Sequence, residues 1–587
     1  MAGGAALDQT DPQPSVVGIM KTGFSKLVRF ASVLSMVVWA VGPRAAAQVV
    51  EIPDPALRDA IRAALGKPTR DITVSDMESL TELDASQYAR GGPFWAPSIG
   101  SLEGLQTARN LTWLDLSGCL GGIGGLRVNV STSDLSPLAG LTNLTWLDLA
   151  FNQLTNISLP PGLTSLHTLR LVENQLTNVT LVADLTCLTT LDLRANRLTD
   201  SSFLKGLTNL TTLDLSQNRL TNLTLPAALT SLSGLDLDQN QITSFTLPAG
   251  LTRLEELDLT GNQLTNLTLP AGLTNLITLL LGDNRFTNLI MPDGLASLTI
   301  LDLNYNQFAS LTLPDGLIRL KWLYLACNQL TELTLPSDLA SLTTLALSDN
   351  QLTNLTLPDG LTSLSELHLY RNRLASLILP GGLSNLKEVY CGENQLTNLA
   401  LPVGMTNLTT VDLNNNQLTS LTLPADLANL TALDLGWNRL TSLTLPDGLT
   451  NLTALVLWYN QLTCFTVPPA LTGLTTLIVR ENPLTTLVLP ESPARQVDPS
   501  VEQLRSQGVA VYVYPLEVRL VAGQPMEAGA FEFTLTGPPG SYRVQVTSDF
   551  SAWTDLDLAT NIVGSAAFAD TSAGQRPRTF YRVKLEQ

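Results

Sequence analysis

Histidine is almost absent from this chain of 587 residues, with two copies, and cysteine is scarce, with five. A chain so poor in imidazole offers few groups for acid–base chemistry near neutral pH. Cys119, Cys187, Cys327, Cys391 and Cys464 are odd in number, far apart and without CxxC spacing, which suggests neither a disulfide framework nor a zinc site. Charge is sparse too, at 14% of residues, and the 33 Lys and Arg are outnumbered by 51 Asp and Glu for a net −18. Binding a phosphate backbone needs clustered cations to displace counterions, so nucleic acid is not an expected partner. Past residue 41 no apolar stretch approaches the roughly 20 residues of a membrane-spanning helix, and no transmembrane segment is expected in the mature chain.

What is present is apolar surface, 44% of residues, ample for a folded core. Near the beginning, Lys21, Lys26 and Arg29 precede an apolar run from Phe30 to Val41 and the small residues Ala45, Ala46 and Ala47. That order reads as a secretory signal peptide starting near Met20 and cleaved before Gln48 or Val49. Residues 1–48 are therefore assigned to a leader and signal peptide, and the mature chain is expected to be secreted or held at a cell surface.

The dominant feature is a period. Steps of 22 from Asn152 reach asparagine at Asn174, Asn196 and every later position to Asn482, sixteen in all. The surrounding text reduces to LxxLxxLxLxxNxLTxLxLPxG, as in residues 141–162. This is the leucine-rich repeat pattern, in which LxLxx is a strand and Asn follows it. An earlier copy, LTWLDLSGC, puts Cys119 at the asparagine position, giving about 17 repeats over residues 111–495. A single coil cannot bury its own leucines, so stability must come from stacking. The asparagine is expected to turn the chain inward and satisfy backbone groups at the bend. The return half, TNLTLP, alternates apolar and polar residues before a proline, so it should be a short extended segment and not a helix.

Both ends carry caps. In PDPALRDAIRAALG, Asp54 is an N-cap, Pro55 opens a helix, Leu57, Ile61 and Leu65 share a face, and Gly66 ends it; ITVSDMESLTELDAS gives a second short helix and a rudimentary coil. Together with SIGSLEGLQTARNLTWLDL at 98–116 this N-terminal cap, residues 49–110, resembles the N-terminal cap and first repeats of the internalin-like family of bacterial surface proteins, over roughly residues 50–155 and by period beyond. The return half departs from that family, whose members commonly read NQLTDISPL where this chain has NQLTNLTLP. The resemblance implies adhesion or recognition at a cell surface, and no binding residue carries over. Residues 496–515, a short helix and the strand VAVYVY, form the C-terminal cap. Residues 516–587 lose the period and show FEFTLT, SYRVQVTS, WTDLDLA and TFYRVKL between glycine and proline turns, as in a β-sandwich-like module. The fold class is thus a mainly β leucine-rich repeat solenoid with parallel strands on its inner face, short extended segments outside, a small helical N-cap and a C-terminal all-β module.

Strand side chains alternate sides, so the residues around the two leucines of LxLxx line a solvent-facing inner surface. All ten Trp and Tyr residues between 111 and 482 fall there: Trp113, Trp146, Tyr305, Trp322, Tyr324, Tyr370, Tyr390, Trp437, Trp458 and Tyr459. Most Phe residues, such as Phe245, Phe286 and Phe465, take core positions. Exposed Trp and Tyr do nothing to close a coil, but they anchor binding hot spots; as cross-strand pairs they would only stabilise the sheet. Asp192, Asp214, Asp236 and Asp258 share one position on consecutive strands, with Asp412 and Asp434 further on. They could attract a basic ligand, although solvated carboxylates are the plainer expectation. His368 belongs beside Tyr370 and Tyr390 as a contact residue, and of Cys327, outward, and Cys391, inward, only Cys327 is placed to react, a passive thiol being the plainer expectation. The expected ligand-binding set is Tyr305, Trp322, Tyr324, His368, Tyr370, Tyr390, Trp437, Trp458 and Tyr459 with the four aspartates. It should bind another protein, possibly a basic one, or a glycan. A structural envelope role is the third reading. No cofactor, metal or catalytic residue is expected, and the chain reads as a binding protein, not an enzyme.

Overall fold

Each coil owes its shape to leucines whose side chains have nowhere else to go. In the coil that begins at Ile300, Leu301, Leu303, Phe308, Leu311, Leu313, Leu317 and Leu320 are all buried, each contributing about 1.5–3 kcal/mol by leaving water. The computed structural model describes residues 48–86, 99–120, 134–181, 184–496, 498–525, 530–576 and 578–586. Residues 1–47, most of the expected leader and signal peptide, lie outside them. Three-residue strands recur at the same point of every coil and pair in parallel, from Glu82–Asp84 and Trp113–Asp115 to Thr476–Ile478, in an eighteen-stranded sheet. Register is strict: Leu301 pairs with Leu323, and Leu323 with Leu345, so each leucine lies beneath its counterpart.

The repeated asparagine closes the bend as expected. Asn306 donates through Nδ2 to the carbonyls of Leu281 (3.0 Å) and Leu303 (3.2 Å), and its Oδ1 accepts the backbone N–H of Phe286 (3.0 Å). One side chain thereby satisfies groups in two coils, and the pattern repeats down to Asn482. Cys119 keeps part of this role, its thiol donating to the carbonyl of Leu116 at 2.9 Å.

The return half is extended but less regular. Two- or three-residue strands pair at Asn156–Ser158 with Asn178–Thr180 and at Asn222–Leu223 with Ser244–Phe245. Cys464–Thr466 pairs likewise with Thr486–Pro490, and between these pairs single bridges remain, such as Thr312 with Thr334. The proline that follows each LxL segment has no N–H to extend the ladder.

At the N-terminal end, helix α1 (Pro55–Leu65) starts at Asp54, whose carboxylate accepts the N–H of Leu57 at 2.9 Å, and stops at the left-handed Gly66. Helix α2 (Val74–Glu78) has a capping box of Thr73 and Asp76. At the other end, helices α3 (Glu491–Gln496) and α4 (Asp498–Ser506) lead to Ala510–Tyr514, which extends the return-side sheet by pairing with Thr486–Pro490. Tyr514 is buried there and donates to the carbonyl of Val467 at 2.7 Å. The module beyond it has two three-stranded antiparallel sheets around Phe533, Leu535, Tyr542 and Val544. Its strands include Arg519–Pro525 and Ser565–Asp570, beyond the four segments expected from alternation.

Candidate binding face

Strict register turns each inner position into a column running across the sheet. The central column reads Asp258, Leu280, Asp302, Tyr324, Ala346, His368, Tyr390, Asp412, Asp434. Trp322 stands two positions before Tyr324 on the same strand, and Tyr370 two after His368. Ala346 is the smallest member of its stretch and leaves a gap between Tyr324 and His368. Every Trp and Tyr of the expected set is half-buried or exposed, with Tyr305 at 63%, and none lies in the core. His368 stacks on Tyr390 (centroids 5.0 Å apart, 16°) and approaches Glu366 at 3.6 Å. The Tyr390 hydroxyl donates to Glu388 at 2.9 Å, and its pKa is pushed up to about 12 by burial and then by that carboxylate. Tyr370 donates to Glu393, which also takes Arg371 at 2.9 Å. These bonds hold the rings in fixed orientations.

The residue before each asparagine adopts left-handed backbone, among them Tyr305 (φ 54°), Trp437 (φ 54°) and Tyr459 (φ 50°). That conformation costs a non-glycine residue about 1–2 kcal/mol, and in this series only Gly261 is glycine. The turn into the coil imposes it and thrusts the side chain outward. The asparagine period marked this position without revealing its backbone.

The structure separates the aromatic set into groups. Trp322, Tyr324, His368, Tyr370 and Tyr390 make a central patch. Trp437, Trp458 and Tyr459 make a second one, with Trp437 stacked on Tyr459 at 4.0 Å and Trp458 edge-on to both. Trp113 and Trp146 stack at 4.5 Å near the first repeats.

The acidic column differs from the solvated stripe expected. The side chains of Asp192 and Asp214 are only 15% and 17% accessible. Asp236, like its counterparts, accepts the N–H two residues on, from Asp238 at 3.0 Å. Burial, followed by repulsion from Asp214, raises Asp192 to about 6; burial followed by the same neighbour raises Asp236 to about 8. Two arginines that the pattern did not single out partly neutralise the first rungs. Arg170 reaches Asp148 at 2.7 Å and Asp192 at 3.8 Å, and Arg194 reaches Asp192 and Asp214 at 3.9 Å each. Arg170 occupies a column that carries Asp on either side of it, a signal legible in the sequence. The reading of the thiols also changes. Cys391 is buried and its pKa raised, Cys327 is partly accessible, and Cys464 on the return side is exposed, so Cys327 is not alone in being reachable. Among the described residues no group of His, Cys, Asp and Glu is arranged to hold a metal ion, and no helix is long and apolar enough to cross a membrane.

Two family descriptions match the repeats. The BspA type leucine-rich repeat region matches residues 317–434 and 368–485, and the two-copy leucine-rich repeat description matches 142–187, 186–227 and 230–271. Internalin C2 of Listeria monocytogenes is 32% identical over 40% of this chain and 94% of its own, with a TM-score of 0.31. The chain is a leucine-rich repeat protein, similar to the internalins. Other solved repeat proteins similar to it are YopM from Yersinia enterocolitica (27% identity, 68% of this chain and 90% of that one, TM-score 0.47) and the Listeria internalin inlF (26%, 64% and 93%, TM-score 0.43). No curated protein matches the chain. What varies within this leucine-rich repeat protein is the inner face, where the repeat leaves side chains free to change.

Proposed function

We propose that this protein binds another protein through its inner face between Tyr305 and Tyr459, acting as a secreted or surface-displayed recognition or adhesion module. The observation that carries the reading is the central patch. Trp322, Tyr324, His368, Tyr370 and Tyr390 are all partly accessible, stacking and hydrogen bonds hold His368, Tyr370 and Tyr390 in place, and the set lies on either side of the gap at Ala346. Rigid aromatic anchors around a recess are what a partner's buried side chain needs. The signal-peptide reading and the family resemblance support the location.

A basic partner suits the remaining surface. Asp236 and Asp258 have no arginine beside them of the kind that serves Asp192 and Asp214. A cation placed there would lower the raised Asp236 pKa and expel its proton, so affinity for such a partner should grow as pH rises towards 8.

The test is a pull-down from native surroundings with the parent and a Trp322→Ala, Tyr324→Ala, Tyr370→Ala variant. Loss of the captured protein with an unchanged melting curve supports the reading; identical capture by both overturns it.

A further inference from the structure

The geometry points to a saccharide-binding slot beside Trp437, distinct from the central patch. Trp437 and Tyr459 are 47% and 39% exposed and stack as a flat platform, their rings 17° from parallel. The platform is fixed from below. Trp458 stands edge-on to both rings and lies against Gly436, where even a Cβ would come within 2.1 Å of its Nε1. Arg480 lies over the Trp458 ring at 5.0 Å. On the side of Trp437 away from Tyr459, the next rung carries only Asn415, an exposed short amide, and the rung beyond carries Glu393. Two rungs span about 9–10 Å, so Trp437 and Glu393 bound a slot whose floor is Asn415, with Asn414 adjacent and held by Asp412 at 2.6 Å.

The chemistry of this slot is one aromatic wall and otherwise amides and carboxylates. Glu393 is already engaged by Tyr370 and Arg371, which hold its carboxyl below the usual carboxylate range and keep it an acceptor. A peptide anchor needs a desolvated apolar pocket, and nothing here closes one. A pyranose ring has what the slot lacks: a flat C–H face to lie on the indole and hydroxyls at its rim to donate to Glu393 and to exchange hydrogen bonds with Asn414 and Asn415. The occupant is therefore a neutral hexopyranose unit of an oligosaccharide or polysaccharide.

Isothermal titration of the full protein with cellohexaose, N-acetylchitohexaose, mannohexaose and maltohexaose tests this. At least one should bind the parent, and Trp437→Ala should weaken that sugar more than ten-fold. Asn415→Trp should do the same by filling the slot, and the coil tolerates it because aromatic residues already occupy this left-handed position at Tyr305, Trp437 and Tyr459. A Trp322→Ala, Tyr324→Ala double variant, which leaves Tyr370 and its bond to Glu393 in place, should bind the sugar like the parent, which separates this site from the protein-docking reading. Failure of all four sugars, parent-like binding by either slot variant, or binding only of a proline-rich control peptide overturns the proposal.

Discussion

The two faces of one coil are built by the same alternation of leucine and polar residue, yet they carry different chemistry. On the inner face, three-residue strands pair in an unbroken register, and the outward positions change from coil to coil among Asp, Arg, Tyr, His, Trp and Ala. On the return face, pairing falls to short strands and single bridges, and the outward positions repeat Asn, Ser and Thr with few exceptions, Glu332, Ile290 and Ile378 among them. Closure of the coil constrains both faces equally, so it cannot explain why large rings gather on one only. The contrast teaches that leucine and asparagine specify the coil and the inner outward positions are where binding chemistry can be placed.

The comparison is broken most severely at the asparagine, which serves both faces. Asn306→Ala leaves the N–H of Phe286 without its partner and removes one of two asparagine donors from the carbonyls of Leu281 and Leu303, which keep Asn284 and Asn328. It should cost about 2–4 kcal/mol, since the buried unpaired N–H costs about 1–3 kcal/mol and each hydrogen bond lost beside it about 0.5–1.5 kcal/mol, and urea unfolding measures it. Asn306→Cys should cost less, as the Cys119 coil implies. Next in size is the central patch, where the Trp322, Tyr324 and Tyr370 triple variant should lose at least about 2 kcal/mol of partner affinity with little change in unfolding midpoint. Third is the acidic column. The folded protein holds the Asp236 proton up to about pH 8, while an unfolded aspartate releases it near 3.8. Between those values the native state binds more protons, so stability falls as pH rises from about 4 to 8. Asp236→Asn should flatten that slope and raise stability at pH 8, by on the order of 1–2 kcal/mol after solvent screening; an unchanged slope in unfolding titrations from pH 4 to 8 would remove the account of this column. The smallest effect belongs to the return face, where Thr334→Val should change stability by less than about 0.5 kcal/mol and leave capture unaltered.

Much of this fold was legible because a period of 22 repeats its own evidence. Asp54, Pro55 and Gly66 marked the first helix because capping chemistry is local. Ser565–Asp570 was missed because its alanines lack strand propensity and its partner, Phe531–Thr536, lies some thirty residues earlier. At the site, alternation put the rings on the correct side, since a strand has only two. It could not give the stacking of Trp437 on Tyr459, the left-handed turn that projects both, or the sheltering of Asp236, which depend on distances between coils. Arg170 and Arg194 were visible as letters, but the reach of Arg170 to aspartates 22 residues away on either side, and of Arg194 to one 20 residues on, are properties of register.

The most direct test places a photo-crosslinking amino acid at Ala346, in the gap between Tyr324 and His368, and in a second protein at Thr334 on the return face. Illumination with native partners should attach one protein through position 346 and none through 334. Attachment through 334 alone, or equally through both, would contradict recognition by the inner face.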